Sequence, residues 1–141
     1  MDVEVNLIAV LVAGLSSMVV GSVWYTPKVF GNSWARLAKV KMDRKVSNRE
    51  MTVLMGSTLV ASIITAYILA HVAYLSNQFF GNAFLQDSLT TAFWLWLGFT
   101  AARIYVHDAF ESRPLKLTVM NAAHELLTVL VMGLVIGLIG V

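Results

Sequence analysis

Four apolar runs divide this chain, and lysine and arginine are almost wholly excluded from them. The runs cover residues 5–25, 51–75, 85–107 and 115–141. Each is long enough to cross a hydrocarbon layer about 30 Å thick, which takes about 20 helical residues. A backbone in lipid must satisfy its own hydrogen bonds, so the runs are expected as helices rather than open strands. The expected fold class is all-α: a polytopic membrane protein with four transmembrane helices, forming a single membrane domain over residues 1–141. Composition agrees, with 58% hydrophobic and 13% charged residues, against about 45–50% and about 25% in soluble domains. The third run is the least clean. It starts with Gln86 and Asp87 and ends with Arg103, His107 and Asp108, around an AFWLWLGF centre.

The connections separate by charge. Of the ten basic residues, Lys28, Arg36, Lys39, Lys41, Arg44, Lys45 and Arg49 fall between the first and second runs, while Arg103, Arg113 and Lys116 flank the turn between the third and fourth. The positive-inside rule then places both basic connections in the cytoplasm and both termini outside, in a multi-pass protein of the cell (inner) membrane. The first run reads as a retained helix rather than a secretory leader. Asp2 and Glu4 precede it where a leader carries basic residues, and it is too long for a leader's apolar core. Trp24 and Tyr25 at its inner end suit the lipid headgroup level. There is no cysteine, which excludes disulfides and thiolate metal sites.

Pro27 should end the first helix, and Asn32 or Ser33 can cap a new one over about residues 33–45. Trp34, Leu37, Ala38 and Lys41 would share one face of it, with Arg36, Lys39 and Arg44 largely opposite. A short basic amphipathic helix of this kind lies in the membrane interface, held by anionic lipid; the same signature would serve to dock a partner in a membrane complex. Trp24-Tyr25-Thr26-Pro27, Phe30-Gly31 and Trp34 resemble the signature of a bacterial four-helix membrane family called domain of unknown function 1761. "WLGF" (Trp96 to Phe99), "FESRP" (Phe110 to Pro114) and Asn121 extend the resemblance over nearly the whole chain. It implies four transmembrane helices in one compact domain, and it implies no activity.

In the fourth run, "NAAHELL" (Asn121 to Leu127) interrupts an almost wholly apolar sequence. Counted from Leu115, Glu125 lies roughly 15 Å along the helix, close to mid-membrane. Thr118, Asn121, Glu125, Thr128 and Met132 fall on one stripe, with Gly133, Gly137 and Gly140 on the next. Gly133-x-x-x-Gly137 is a helix-packing spacing. Intramembrane charge faces protein or water, so a polar cluster of Glu125, His124, Asn121, Arg103 and Ser17 is expected. Arg103 sits at matching height on the preceding span as an ion-pair partner for Glu125. His124 should meet Thr128 or another helix, and His71 belongs elsewhere.

Such a cluster can be purely structural, fixing helix register. "HELLT" shares the start of the zinc-protease H-E-x-x-H, but Thr128 stands where the second histidine would be, so no metal is expected. No cofactor is expected either, and no nucleophile–base pair can be assembled to make an enzyme. The basic residues are accounted for by topology rather than nucleic-acid binding. Two functions remain. The leading one is a homo-oligomeric, proton-linked permeation protein working past Glu125 and His124; the other is a non-catalytic accessory or lipid-binding subunit of a membrane complex.

Overall fold

Asn6 begins the first helix. Its side-chain oxygen accepts the backbone N–H groups of Ile8 and Ala9 at 3.0 and 3.2 Å, satisfying donors that have no partner in the first turn. In the computed structural model, which describes residues 3–41, 43 and 45–140, the elements are α1 (Leu7–Trp24), α2 (Gly31–Ala38), α3 (Asn48–Phe80), α4 (Phe84–Leu95), α5 (Ala102–Phe110) and α6 (Leu115–Ile139). A π-helical segment, Trp96–Ala101, joins α4 to α5. Helix α3 opens on a capping box: the Glu50 N–H donates to the Ser47 hydroxyl, and the Ser47 N–H donates to the Glu50 carboxylate. It closes on Gly81, whose φ of 67° is the left-handed turn that favours glycine.

Among the described residues three helices, α1, α3 and α6, are long and apolar enough to cross a membrane, one fewer than the four expected. The expected third span is divided by the π-helical segment, so neither α4 nor α5 has the length alone. Polar residues at both ends, from Gln86 and Asp87 to His107 and Asp108, shorten its apolar stretch further.

Successive long segments run in opposite directions. Gly14 of α1 abuts Ile63 of α3, the Asn77 side chain at the end of α3 donates to Asp87 in α4 at 2.8 Å, and Thr118 of α6 donates to Asp108 of α5 at 2.7 Å. The end of α1, the start of α3 and the α5–α6 turn therefore lie together at one end, which carries the basic residues. Both buried aspartates are hydrogen-bonded, as buried charge requires. Asp87 also accepts from Asn82 at 2.9 Å, and Asp108 faces the Arg113 guanidinium at 3.8 Å.

The main hydrophobic cluster lies in the half away from the basic end, while Leu117 and Ala35 are buried apart from it at the basic end. Val10, Ala13, Ala66, Leu69, Ala92 and Ile136 belong to the cluster, with Ala70 and Met132. Alanine and glycine dominate because helices in lipid gain stability from close backbone approach rather than from hydrophobic transfer. The Gly133-x-x-x-Gly137 face supplies the closest approach, as its spacing predicted. A Cβ at Gly137 would stand 2.7 Å from the Leu85 Cα, and one at Gly133 would stand 3.1 Å from the Ser88 carbonyl oxygen. In the basic half α3 stands away from its neighbours: residues 48–58 are all exposed.

The short helix differs from its expected form. It covers Gly31–Ala38 rather than about 33–45, and Lys39, in the left-handed region at φ 56°, ends it. Neither Asn32 nor Ser33 caps it. The N-cap position is Phe30, without a side-chain bond, and the Asn32 amide instead donates to the Pro27 carbonyl at 3.0 Å. Arg44 lies outside the described residues. Arg36 and Lys39 are exposed, whereas Gly31 and Ala35 are buried, so the small-residue face of α2 packs on protein.

Candidate binding site

The residues after α1 form a tight corner. The Phe30 N–H donates to the Trp24 carbonyl at 3.1 Å, and the Gly31 N–H to the Thr26 carbonyl at 2.9 Å. Only glycine fits at position 31, because a Cβ there would run into the Tyr25 and Thr26 carbonyl oxygens. The corner brings two aromatic pairs into register. Trp24 lies on Phe30 with ring centroids 4.3 Å apart, and Tyr25 meets Trp34 edge-on at 5.2 Å. The W-Y-x-P-x-x-F-G-x-x-W pattern is thus a set of partners, its first and third aromatics in tilted contact and its second and fourth meeting edge-on.

This corner closes over His124. The imidazole lies 4.9 Å from the Tyr25 ring and 5.7 Å from the Trp24 ring. Its Nδ1 faces the Glu125 carboxylate at 3.4 Å, with the histidine side chain 13% exposed and the glutamate 42%. Its backbone carbonyl accepts the Thr128 hydroxyl at 2.9 Å. The Nε2 of His124 and the Nε1 of Trp24 are both buried without a hydrogen-bond partner. Trp24 is therefore packed into the protein rather than serving only as a headgroup anchor, and Tyr25 joins the polar cluster from which the sequence reading had separated it.

Two open grooves meet at Glu125, and a third adjoins the first. The first, about 560 Å³, lies between the corner, α5 and α6 and includes Tyr25, Trp34, Arg103, Asn121 and Glu125. The second, about 500 Å³, lies between α1, α3 and α6 and includes Ser17, Thr58, Ser62, His124 and Glu125. Tyr25 and Glu125 line both. The third, about 470 Å³, is apolar, with Ile68, Leu69, Leu95 and Val129 in its wall. It shares Phe99 and Thr100 with the first groove. Those two residues belong to the π-helical segment, which Trp96 ties to α6 by donating to the Ala122 carbonyl at 2.9 Å. A π turn inside an α-helix often marks a functional site.

Arg103 and Glu125 do not pair. They line one groove, yet no ion pair joins them within 4.0 Å among the described residues. Residue counting sets the height of a side chain and leaves its separation from the next helix open; here the groove stands between the two. Arg113, by contrast, is engaged with Glu111 at 2.6 Å as well as with Asp108. Ser17 is buried, donates to the Gly14 carbonyl at 2.7 Å and reaches the cluster only through the second groove. Asn121 lines the first. His71 packs beside Tyr67 on α3, with centroids 6.2 Å apart, in a separate environment.

Sequence reasoning missed the two aspartate clasps and the π turn. Asp108 had a local signal in its proximity to Arg113 and the positive φ of Ser112 (55°) had none. No curated protein and no solved structure matches the chain. A family model described as "Protein of unknown function (DUF1761)" matches residues 8–137, a stretch that contains the aromatic corner, the π turn and His124–Glu125. The chain belongs to that family.

Proposed function

We propose that the protein is a four-crossing membrane protein that binds an amphiphile from the leaflet at its basic end, a non-catalytic role. The observation that carries this reading is that the groove lined by Arg103, Asn121 and Glu125 shares Phe99 and Thr100 with an apolar groove. An amphiphile needs both, joined in that order. The α4–π–α5 rod supplies the fourth crossing, and the basic end faces the cytoplasm, where the excess of lysine and arginine belongs. Permeation past Glu125 is less well supported. A path within one protomer would have to continue through the far half, where Ala13, Ala66, Leu69, Ala92 and Ile136 are packed.

The test is photolabelling of the reconstituted protein with a phospholipid carrying a diazirine on one acyl chain. Cross-links concentrated on residues 64–69 and 95–100 are expected, and labelling spread evenly around α1, α3 and α6 would remove the reading. A proteoliposome assay addresses permeation separately: pH-dependent flux abolished by Glu125→Gln would establish it in place of binding.

A further inference from the structure

The first groove holds two charges of opposite sign with a space between them. Arg103 has no ion-pair partner among the described residues, while Arg113 of the same groove is already engaged by Glu111 and Asp108. Counted from the Ser112 turn, Arg103 lies roughly 13 Å into the bundle at about 1.5 Å per residue. At such depth an arginine side chain is held by an anion, by backbone carbonyls or by water. Among the described residues the Glu125 carboxylate has the His124 imidazole as its one ion-pair partner, at 3.4 Å, and keeps 42% of its side chain exposed. Two aromatic rings, Tyr25 and Trp34, stand in the same wall.

Resting on the amphiphile reading above, we infer that this groove takes a zwitterionic aminophosphate group, its phosphate on Arg103 and its ammonium on Glu125. The guanidinium donates in the forked geometry that phosphate oxygens accept. A primary ammonium donates to the Glu125 carboxylate and the Asn121 carbonyl oxygen, and the rings of Tyr25 and Trp34 add cation–π attraction. Both protein charges are neutralised by one ligand of zero net charge. A purely anionic headgroup would satisfy Arg103 and bring its surplus charge toward Glu125, so it is disfavoured. A quaternary ammonium keeps the ring contact but has no N–H to give to the carboxylate. The apolar groove beyond Phe99 and Thr100 receives the acyl chain, which makes the source a phospholipid rather than a free aminophosphate.

Native mass spectrometry of the full-length protein, released from micelles holding equal amounts of phosphatidylethanolamine, phosphatidylcholine and phosphatidylglycerol with matched acyl chains, tests the assignment. Phosphatidylethanolamine should be retained over each of the others by roughly tenfold, the scale of a charge-assisted hydrogen bond. Glu125→Gln should erase that preference while leaving phospholipid bound, and Arg103→Gln should lower retention of all three. Because Arg103 is exposed, its replacement keeps the test open even where the Glu125 variant fails to fold. Equal retention of the three lipids overturns the headgroup assignment and leaves amphiphile binding standing. Retention of none, with no rise in melting temperature on adding soluble O-phosphoethanolamine, overturns both. A rise in melting temperature with soluble O-phosphoethanolamine, without any lipid retained, keeps the aminophosphate chemistry and overturns the lipid source.

Discussion

The Nε2 of His124 lies 3.7 Å from the point where a Cβ on Gly21 would stand. That is ordinary van der Waals contact, so a methyl group at position 21 fits against the imidazole, while a branched side chain there would press on it. We expect Gly21→Ala to change the melting temperature in detergent very little, with a stability change within about 0.5 kcal/mol. Gly21→Leu should push the imidazole away from Trp24 and Tyr25 and cost about 1–3 kcal/mol, as overpacking does. Tryptophan fluorescence would register the loss of the Trp24–His124 contact. An unshifted spectrum in a folded Gly21→Leu protein would mean that the imidazole is not enclosed as described.

The Gly133-x-x-x-Gly137 face gives a graded test. A Cβ at Gly137 meets the Leu85 Cα at 2.7 Å, one at Gly133 meets the Ser88 carbonyl oxygen at 3.1 Å, and one at Gly98 meets nothing within 4 Å. Both contacts are with backbone, so the shorter one demands the larger shift. Gly137→Ala should therefore lower stability most, by about 1–3 kcal/mol, Gly133→Ala less, and Gly98→Ala least of all. Thermal unfolding in one detergent ranks the three. The reverse order would show that α4 and α6 are not packed through this face.

At the basic end the Asp108 carboxylate accepts the Thr118 hydroxyl at 2.7 Å while only 6% of Asp108 is exposed. Removing the acceptor strands a buried hydroxyl, a loss of about 1–3 kcal/mol. Asp108→Ala should be that costly. In the background of Thr118→Val the same change should cost clearly less, since the hydroxyl is already gone. Equal costs in both backgrounds would show that the clasp contributes nothing.

The helical class and three of the four expected membrane-length helices were legible because apolar length is a one-dimensional property; the fourth was not, because its run is divided by the π turn. The stripe from Thr118 to Thr128 was legible too, since helical period alone puts these residues on one face. The π turn was not: Trp96–Ala101 carries no proline, its one glycine, Gly98, does not by itself signal a π turn, and the segment is tied to α6 by the Trp96–Ala122 bond, which sequence does not show. Tyr25 was read as a headgroup anchor because sequence gives the depth of an aromatic ring and not the direction of the corner that carries it. That direction depends on Gly31 closing against the Tyr25 carbonyl, a contact between backbones. The Arg103–Glu125 pair failed similarly, for matching heights say nothing about the width of the gap.

Orientation can be tested by single cysteines in a chain that has none. Lys41 stands beside the basic end and Gln78 near the other, and both are exposed. With an impermeant thiol reagent on intact cells, we expect Gln78→Cys to be labelled and Lys41→Cys only after the membrane is opened. The opposite pattern would invert the topology, and with it the leaflet from which the grooves are reached.

The gap between Arg103 and Glu125 sets the last expectation. Side chains in direct contact couple by about 0.5–3 kcal/mol in a double-mutant cycle, whereas separated ones add within about 0.3–0.5 kcal/mol. In detergent stripped of phospholipid, Arg103→Gln and Glu125→Gln should therefore have nearly additive effects on unfolding. Arg103→Gln alone should do little, because its side chain is exposed and unpaired among the described residues. Glu125→Gln exchanges a carboxylate beside the His124 Nδ1 for a neutral amide and should act mainly through the histidine. Adding phosphatidylethanolamine should then create coupling where none existed, since one ligand would touch both residues. A large coupling energy in the lipid-free protein would mean that the two charges close on each other directly and leave no space for a headgroup. The groove, not the pair, would then be the feature to abandon.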